Sequence, residues 1–377
     1  MAIDLKTLRR ELKDAGAFET HELSTWMKIL GLFVVLGALI TSHIVLGGWT
    51  WLYIPLTAFV AVVIAMFAHE GGHRALSDSA FRNNMLLHVG FPLFAGLSAM
   101  YWKHKHNVKH HAYPNIAEED PDLSLFPMAS SSVEYEKSGP FRRWIQRNLQ
   151  GKLFWPFTFF LAWSMRHSSL SFLLSYVRTK GVDGRWLLDV GCMFGHVVLW
   201  LVIPSFFFGP LYTILFYYLL WTVGGAYLAA IFAPAHMGLP VLNAHDDMWR
   251  LQLETTRNLH VPLGMGAFFV GLDHQIEHHL FPRIPHQNMK KASVVVKQWA
   301  AREGLPYNEI GYLAGLKDVT RFMETAWKVA PSASPYMGDG KPLGATRALG
   351  YDEPEPVAVG DAEAEGSGEG HGDLAAA

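Results

Sequence analysis

The stretch KILGLFVVLGALITSHIVLGGWTWLYIPLTAFVAVVIAMFA, residues 28–68, holds no Asp, Glu, Lys or Arg after Lys28. A helix needs about 20 apolar residues to cross the hydrocarbon core of a bilayer. The stretch therefore divides into two spans, about 28–48 and 50–68, joined by the turn GGW. A second pair repeats the plan, with LLDVGCMFGHVVLWLVIPSFFF at 187–208 and LYTILFYYLLWTVGGAYLAAIFA at 211–233, joined by GP. Spans linked by so short a turn form a hairpin, which puts both turns on one side of the membrane. Lysine and arginine populate the other side, in residues 6–28, 74–82, 103–109, 142–152, 166–185 and 283–302, and the turns carry none. The positive-inside rule makes the basic side cytoplasmic, with both termini on it. The fold predicted is an all-α integral membrane protein with four transmembrane helices in two hairpins, interfacial helices and a cytoplasmic histidine-rich cap. Its expected location is a bacterial cell membrane, crossed several times.

Composition agrees. Of 377 residues, half are apolar and 17% are charged, where soluble proteins average about 25% charged. The formal net charge of −2 gives no global field for nucleic acid, so no nucleic-acid partner is expected. Cys192 is the one cysteine, which excludes an internal disulfide framework and thiolate metal sites. Residues 1–27 are charged and polar without a cleavable signal, and read as a cytoplasmic segment. Residues 28–330 form the membrane domain, and 331–377, rich in Pro, Gly, Ala and acids, read as a disordered acidic tail. Two shorter greasy runs, 89–102 and 153–165, end at a lysine or an arginine. They are too short to span and suit interfacial or re-entrant helices.

Nine of the nineteen histidines fall into three clusters: HEGGH (His69, His73), HKHNVKHH (His104, His106, His110, His111) and DHQIEHH (His274, His278, His279). All three stand at the cytoplasmic boundary. Residues four apart on a helix share a face, so His69 with His73, and His106 with His110, deliver paired imidazoles to one point, with His111 one step round. A single structural zinc takes four ligands. The supply is about twice that, and two ions are the economical reading. Imidazole without thiolate is compatible with Fe, Zn, Cu or Ni. A lone histidine inside a span, such as His196, reads instead as a packed, hydrogen-bonded residue. Ligand histidines usually donate their second N–H to a carboxylate or carbonyl, for which Glu70, Asp273, Glu277 and Asn115 are the candidates nearest in sequence.

The order HxxxH, then a histidine followed by HH, then QIEHHLFP, resembles the integral-membrane fatty acid desaturases, especially the front-end or acyl-lipid branch whose third box begins with glutamine. WKHKHNVKHHAYPN (102–115) and GLDHQIEHHLFPRIPHQN (271–288) carry the resemblance most specifically, and it extends over about residues 25–325. It implies two iron ions (Fe2+/Fe3+) held by His69, His73, His106, His110, His111, His278 and His279, with Gln275 as a weak ligand or supporting group. It also implies O2 as co-substrate and a cis double bond introduced into an acyl chain. That chain would belong to a membrane lipid or to a thioester of CoA or acyl carrier protein. In that family a further histidine after the fourth span joins the site, and His236, in IFAPAHMG, stands in the matching place.

Box two departs from the commoner pattern. It reads HxxxHH where desaturases more often have two intervening residues; three are commoner in related membrane hydroxylases. A di-iron hydroxylase or other lipid oxygenase is therefore the alternative. A metal transporter would place its ligands near the midplane of the spans, whereas these stand at the ends. No HPGG haem motif of a fused cytochrome b5 domain is present, so electrons are expected from a separate carrier, a ferredoxin or similar, with its reductase. An acidic carrier would dock on Lys103, Lys105, Lys109, Arg142 and Arg143. His104 lies two residues before His106 and so about 200° round an α-helix, which points it at solvent or the rim. The third box can be read from His274 or from Gln275, and the resemblance favours Gln275.

Overall fold

The computed structural model describes residues 5–46, 51–245, 247–262 and 264–333. After a short amphipathic helix α1 (Leu5–Asp14), four helices are long and apolar enough to cross a membrane. These are α2 (Glu22–Leu46), α3 (Trp51–Gly72), α8 (Gly184–Phe208) and α9 (Pro210–His236). They match the four expected spans over the described residues, but α3 and α9 run on past the predicted ends at 68 and 233. The extra residues, HEGG and PAH, carry His69 and His236 past the apolar part of each helix. The GGW turn lies outside the described residues. At the GP turn, Gly209 takes φ 80°, which a side chain would resist, and Pro210 opens the next helix where a missing N–H does no harm.

The bundle is built around α3. Two thirds (67%) of its most apolar window is buried, against 17% for α2 and α8 and 33% for α9. The outer helices leave Val34, Phe206 and Leu211 largely exposed, as lipid-facing surfaces do, because acyl chains are as apolar as the side chains themselves. Close approach between helices falls on small residues. A Cβ on Gly225 would stand 2.8 Å from Thr158 O and 3.0 Å from Ala162 N. It marks the point where α9 crosses the junction of α6 (Gln150–Thr158) and α7 (Leu161–Lys180). The run 153–165 is thus the packed corner of two helices.

The run 89–102 is the tip of a bent pair, α4 (Ala80–Ala95) and α5 (Ala99–His110), which meet at 112°. Both arms contain π-helical turns, over Val89–Ala95 and Lys103–His110. Pro92 sits inside the first, and Gly96, at φ 68°, makes the corner.

A polar-edged cap closes one end of the bundle. Leu8 and Leu12 of α1 pack with Val296 and Trp299 of α12 (Met289–Glu303) and with Ile276, Leu280 and Phe281. Two short parallel pairings, Asn258–His260 with Glu309–Gly311 and Leu242–Ala244 with Ser332–Ala333, tie the cap together. Ser332 and Ala333 therefore extend the folded part slightly past residue 330. The rest of the acidic tail lies outside the described residues.

Gly225→Ala forces a Cβ against backbone that cannot turn aside. We expect a loss of about 1–3 kcal/mol, seen as a lower melting temperature in detergent. Gly191→Ala, with nothing within 4 Å of the added carbon, is expected to leave the melting temperature within about one degree.

Candidate metal centre

The inner end of α3 delivers His69, and His73, one turn on, caps the helix just past Gly72, where its backbone N–H bonds His69 O at 3.1 Å. The two glycines between them are required by packing. A Cβ on Gly71 would meet Asn83 O at 2.7 Å, and one on Gly72 would overlap the Trp102 ring.

Box two is not an α-helix. The His111 N–H bonds His106 O at 2.9 Å, the five-residue closure of a π turn. In that geometry the residues four and five ahead straddle the first, so His110 and His111 both flank His106 instead of diverging. The third intervening residue of HxxxHH is absorbed by the wider turn. His104 leaves the cluster and stacks on Phe172 of α7 at 5.4 Å.

His236 comes from the end of α9, and His278 and His279 from α11 (Gln275–Leu280). Gln275 reaches the cluster, with Nε2 2.9 Å from His236 Nε2. His274 stays outside it, 3.8 Å from Asp273. The third box thus faces the cluster from Gln275.

All eight expected histidines converge and are buried. The ring nitrogens of His69, His73, His106 and His278 lie within 4.8 Å of one another, and so do those of His110, His236 and His279. His111 stands between the groups, its Nε2 3.2 Å from His106 Nε2 and 3.1 Å from His278 Nε2 of the first and its ring stacked on His279 of the second at 4.4 Å. His69 Nε2 and His106 Nε2 are 2.9 Å apart. Burial, followed by the neighbouring imidazoles, pushes the pKa of His106, His111, His278 and His279 well below the ordinary value. These rings are therefore neutral. A neutral imidazole has one N–H and one lone pair, and the outer nitrogens use the N–H. His110 Nδ1 donates to Asp120 Oδ1 at 3.0 Å, His279 Nδ1 to Gln252 Oε1 at 2.8 Å and His236 Nδ1 to Thr255 O at 3.3 Å. The inner nitrogens of these three rings are thereby left as lone pairs. His73 Nε2 and His279 Nε2 have no hydrogen-bond partner. A buried polar atom without a partner is costly, and a cation between the rings satisfies the whole set at once. The residues fit a metal centre with imidazole ligands.

Of the four supporting residues expected from sequence, none accepts from a cluster ring. Glu70, one step round α3 from His69, faces away and bonds the ring and N–H of His286 at 3.0 Å. Glu277, similarly beside His278, takes Asn258 and Tyr307, each at 2.8 Å; burial pushes its pKa up to about 7. Asn115 donates to His236 O at 3.1 Å and so positions backbone. Asp273 lies against His274. The work falls to Asp120, Gln252 and the Thr255 carbonyl. Gln252 also donates to His111 O at 3.0 Å, gripping two ligand segments with one side chain. Asp120 also accepts the Asn115 N–H at 2.8 Å. Trp102 stacks on His106 at 4.8 Å and walls the pocket.

Residues 46–311 match the family model for fatty acid desaturases. The chain is 28% identical over 330 residues to an acyl-lipid (8-3)-desaturase of Rebecca salina, covering 84% of this chain and 72% of that one. It is 27% identical over 331 residues to fatty acid desaturase 3 of Homo sapiens, covering 85% and 72%. A delta 8-(E)-sphingolipid desaturase of Komagataella phaffii is 28% identical over 270 residues, which is 67% of this chain and 49% of that protein.

Removing a carboxylate or amide that orients a ligand lowers metal affinity about 10–100-fold. We expect that loss for Asp120→Asn and for Gln252→Ala in competition with a chelator. Glu70→Gln, which touches no cluster ring, is expected to change affinity less than about threefold.

Proposed function

This chain belongs to the fatty acid desaturase family, and from that premise we propose that it uses two irons and O2 to place a cis double bond in an acyl chain. It is a membrane-bound lipid oxidoreductase; the irons, their ligands and the electron route are our reading. The observation that carries it is the convergence of eight imidazoles in one buried pocket. His69, His73, His106 and His278 would hold one iron. His110, His236 and His279 would hold the other, with Gln275 beside them and His111 between the two groups. When bound, the metals would supply the activation of O2 that cleavage of an unactivated C–H bond requires.

The protein's own contribution is position and dryness. Asp120, Gln252 and the Thr255 carbonyl fix which ring nitrogen of His110, His279 and His236 carries the proton, so that each presents a lone pair inward. Trp102 and Phe232, 5.3 and 6.4 Å from the His69 ring, exclude water from the space where the chain's methylenes would lie. The acyl group would enter from the bilayer, its head remaining at the polar cap, which we assign with both termini to the cytoplasmic face. The third intervening residue of box two, absorbed by a π turn, leaves desaturation ahead of hydroxylation in this reading.

Electrons would come from a separate acidic carrier with its reductase. Of the five basic residues expected to dock it, Lys105 pairs with Asp122 and Lys109 with Glu119. Arg142 and Arg143 bond only neutral carbonyls among the described residues, and Lys103 reaches the Asn84 side chain. These three keep their charge for a partner.

Expression in a host with simple fatty acids, followed by gas chromatography–mass spectrometry, is expected to reveal new monounsaturated or polyunsaturated acids. Hydroxylated acids in their place would favour the oxygenase alternative. With a reconstituted carrier, Arg142→Gln with Arg143→Gln is expected to raise the carrier KM severalfold at low salt and hardly at all near 0.5 M salt, where exposed charges are screened. In a Cys192→Ser background, cysteines at Lys137 and Leu211 are expected to label from opposite sides of the membrane; labelling from one side would refute the orientation.

A further inference from the structure

Two buried charges near the corner of the bent helix pair have no carboxylate or cation bound to them among the described residues. Asp189 of α8 is fully buried. It accepts the Ser98 hydroxyl at 2.5 Å, the Ala99 N–H at 3.0 Å and the Met100 N–H at 3.1 Å. Those are the first, otherwise unpaired N–H groups of α5. Arg166 of α7 donates from Nε and Nη2 to Ala95 O at 3.0 and 2.7 Å, the last carbonyl of α4. It lies against Trp221, Trp163 and Tyr217, at 4.4, 5.1 and 5.4 Å from their ring centres. Trp221 and Tyr217 belong to the middle of span α9, so this charge sits at membrane depth.

A helix carries partial positive charge at its N-terminus and partial negative charge at its C-terminus. The carboxylate meets the positive end of α5 and the guanidinium the negative end of α4. Two more backbone groups of the corner are taken by the same two helices. Ser169, three residues after Arg166, accepts the Ser98 N–H at 3.2 Å. His196 Nδ1 and Trp200 Nε1 each reach Phe94 O at 2.9 Å. Asp189, His196 and Trp200 are spaced seven and four apart, one face of α8. His196 also bonds Tyr217 OH at 2.7 Å, and its ring occupies the space a Cβ on Gly96 would need.

We propose that Asp189 and Arg166 are positioning residues for the metal centre, clamping the corner from which α5 carries His106, His110 and His111. The proposal rests on the two-iron reading for its consequence. α7 and α8 supply none of the eight histidines, and holding this corner is the task the proposal gives them. A slip of one residue at Ser98 would rotate all three box-two rings away from their partners, and the fixed ends of both arms prevent it. Ionisable groups inside a membrane are expensive and mark function.

The test is hydrogen–deuterium exchange with mass spectrometry on the full chain in nanodiscs, metal-free and iron-loaded. In metal-free protein, Asp189→Asn and Arg166→Met are expected to speed exchange over residues 97–111 about tenfold, while residues 54–68 exchange as in wild type. Iron retained after loading is expected to fall below half of wild type, and Arg166→Lys, which keeps the charge, to recover most of it. Should Asp189→Asn not accumulate folded, Ser98→Ala removes one of the three bonds and is expected to give about fivefold faster exchange. Wild-type exchange over 97–111 in the folded variants would overturn the clamp, whatever the wild type binds. Faster exchange in variants of a wild type that takes up no iron would leave the clamp standing and overturn the two-iron reading.

Discussion

Lone pairs of neutral imidazoles, brought within about 3 Å of one another in a dry pocket, repel unless a cation stands among them. That constraint organises the molecule. Eight rings must arrive from four separate segments, all with one nitrogen inward, at a place water does not reach. Nothing within the cluster itself holds the rings there. The histidines are therefore positioned by what surrounds them: the Asp120 carboxylate, the Gln252 amide and the Thr255 carbonyl on their outer nitrogens.

Membrane helices make suitable mounts for such a site. A span must satisfy all of its backbone internally, so it is rigid along its length, and extending it by about one turn beyond the apolar region projects side chains from a fixed base. His69 and His236 are mounted in this way. Box two is not, because its helix pair is sharply bent at Gly96. The broken pair instead borrows order from α7 and α8, whose polar side chains satisfy the backbone groups the break exposes. The π turn then sets His110 and His111 on either side of His106.

Much of this was legible in the sequence, because the signals were long-period and redundant. Four apolar runs in two pairs have the length of spans, and the paired histidines at their ends are the ones the fold brings together. Gln275 over His274 came from resemblance, and the structure supplies the reason: Gln275 lies on the His236 side of α11, while His274 precedes the helix. The supporting residues were not legible. Glu70 and Glu277 lie next to ligands in sequence, and on a helix adjacency is what turns a side chain away. Asp120 follows His110 by ten residues, off the helical spacing a sequence search uses, and Gln252 is brought to His279 and His111 only by the fold. Box two looked α-helical because His106 and His110 share a face at that spacing in an α-helix, and nothing in HKHNVKHH announces a wider turn. Asp189 and Arg166 read as ordinary charges near the ends of greasy runs, since a dipole partner leaves no trace in sequence.

The central claim is that the eight histidines hold two irons. Its most direct test is metal analysis of the purified full chain, combined with X-ray absorption at the iron edge. The account expects about two irons per chain in a shell dominated by imidazole nitrogen, both lost when His106 or His278 becomes alanine. A chain that carries one zinc and no iron, or iron that survives those substitutions, would contradict it.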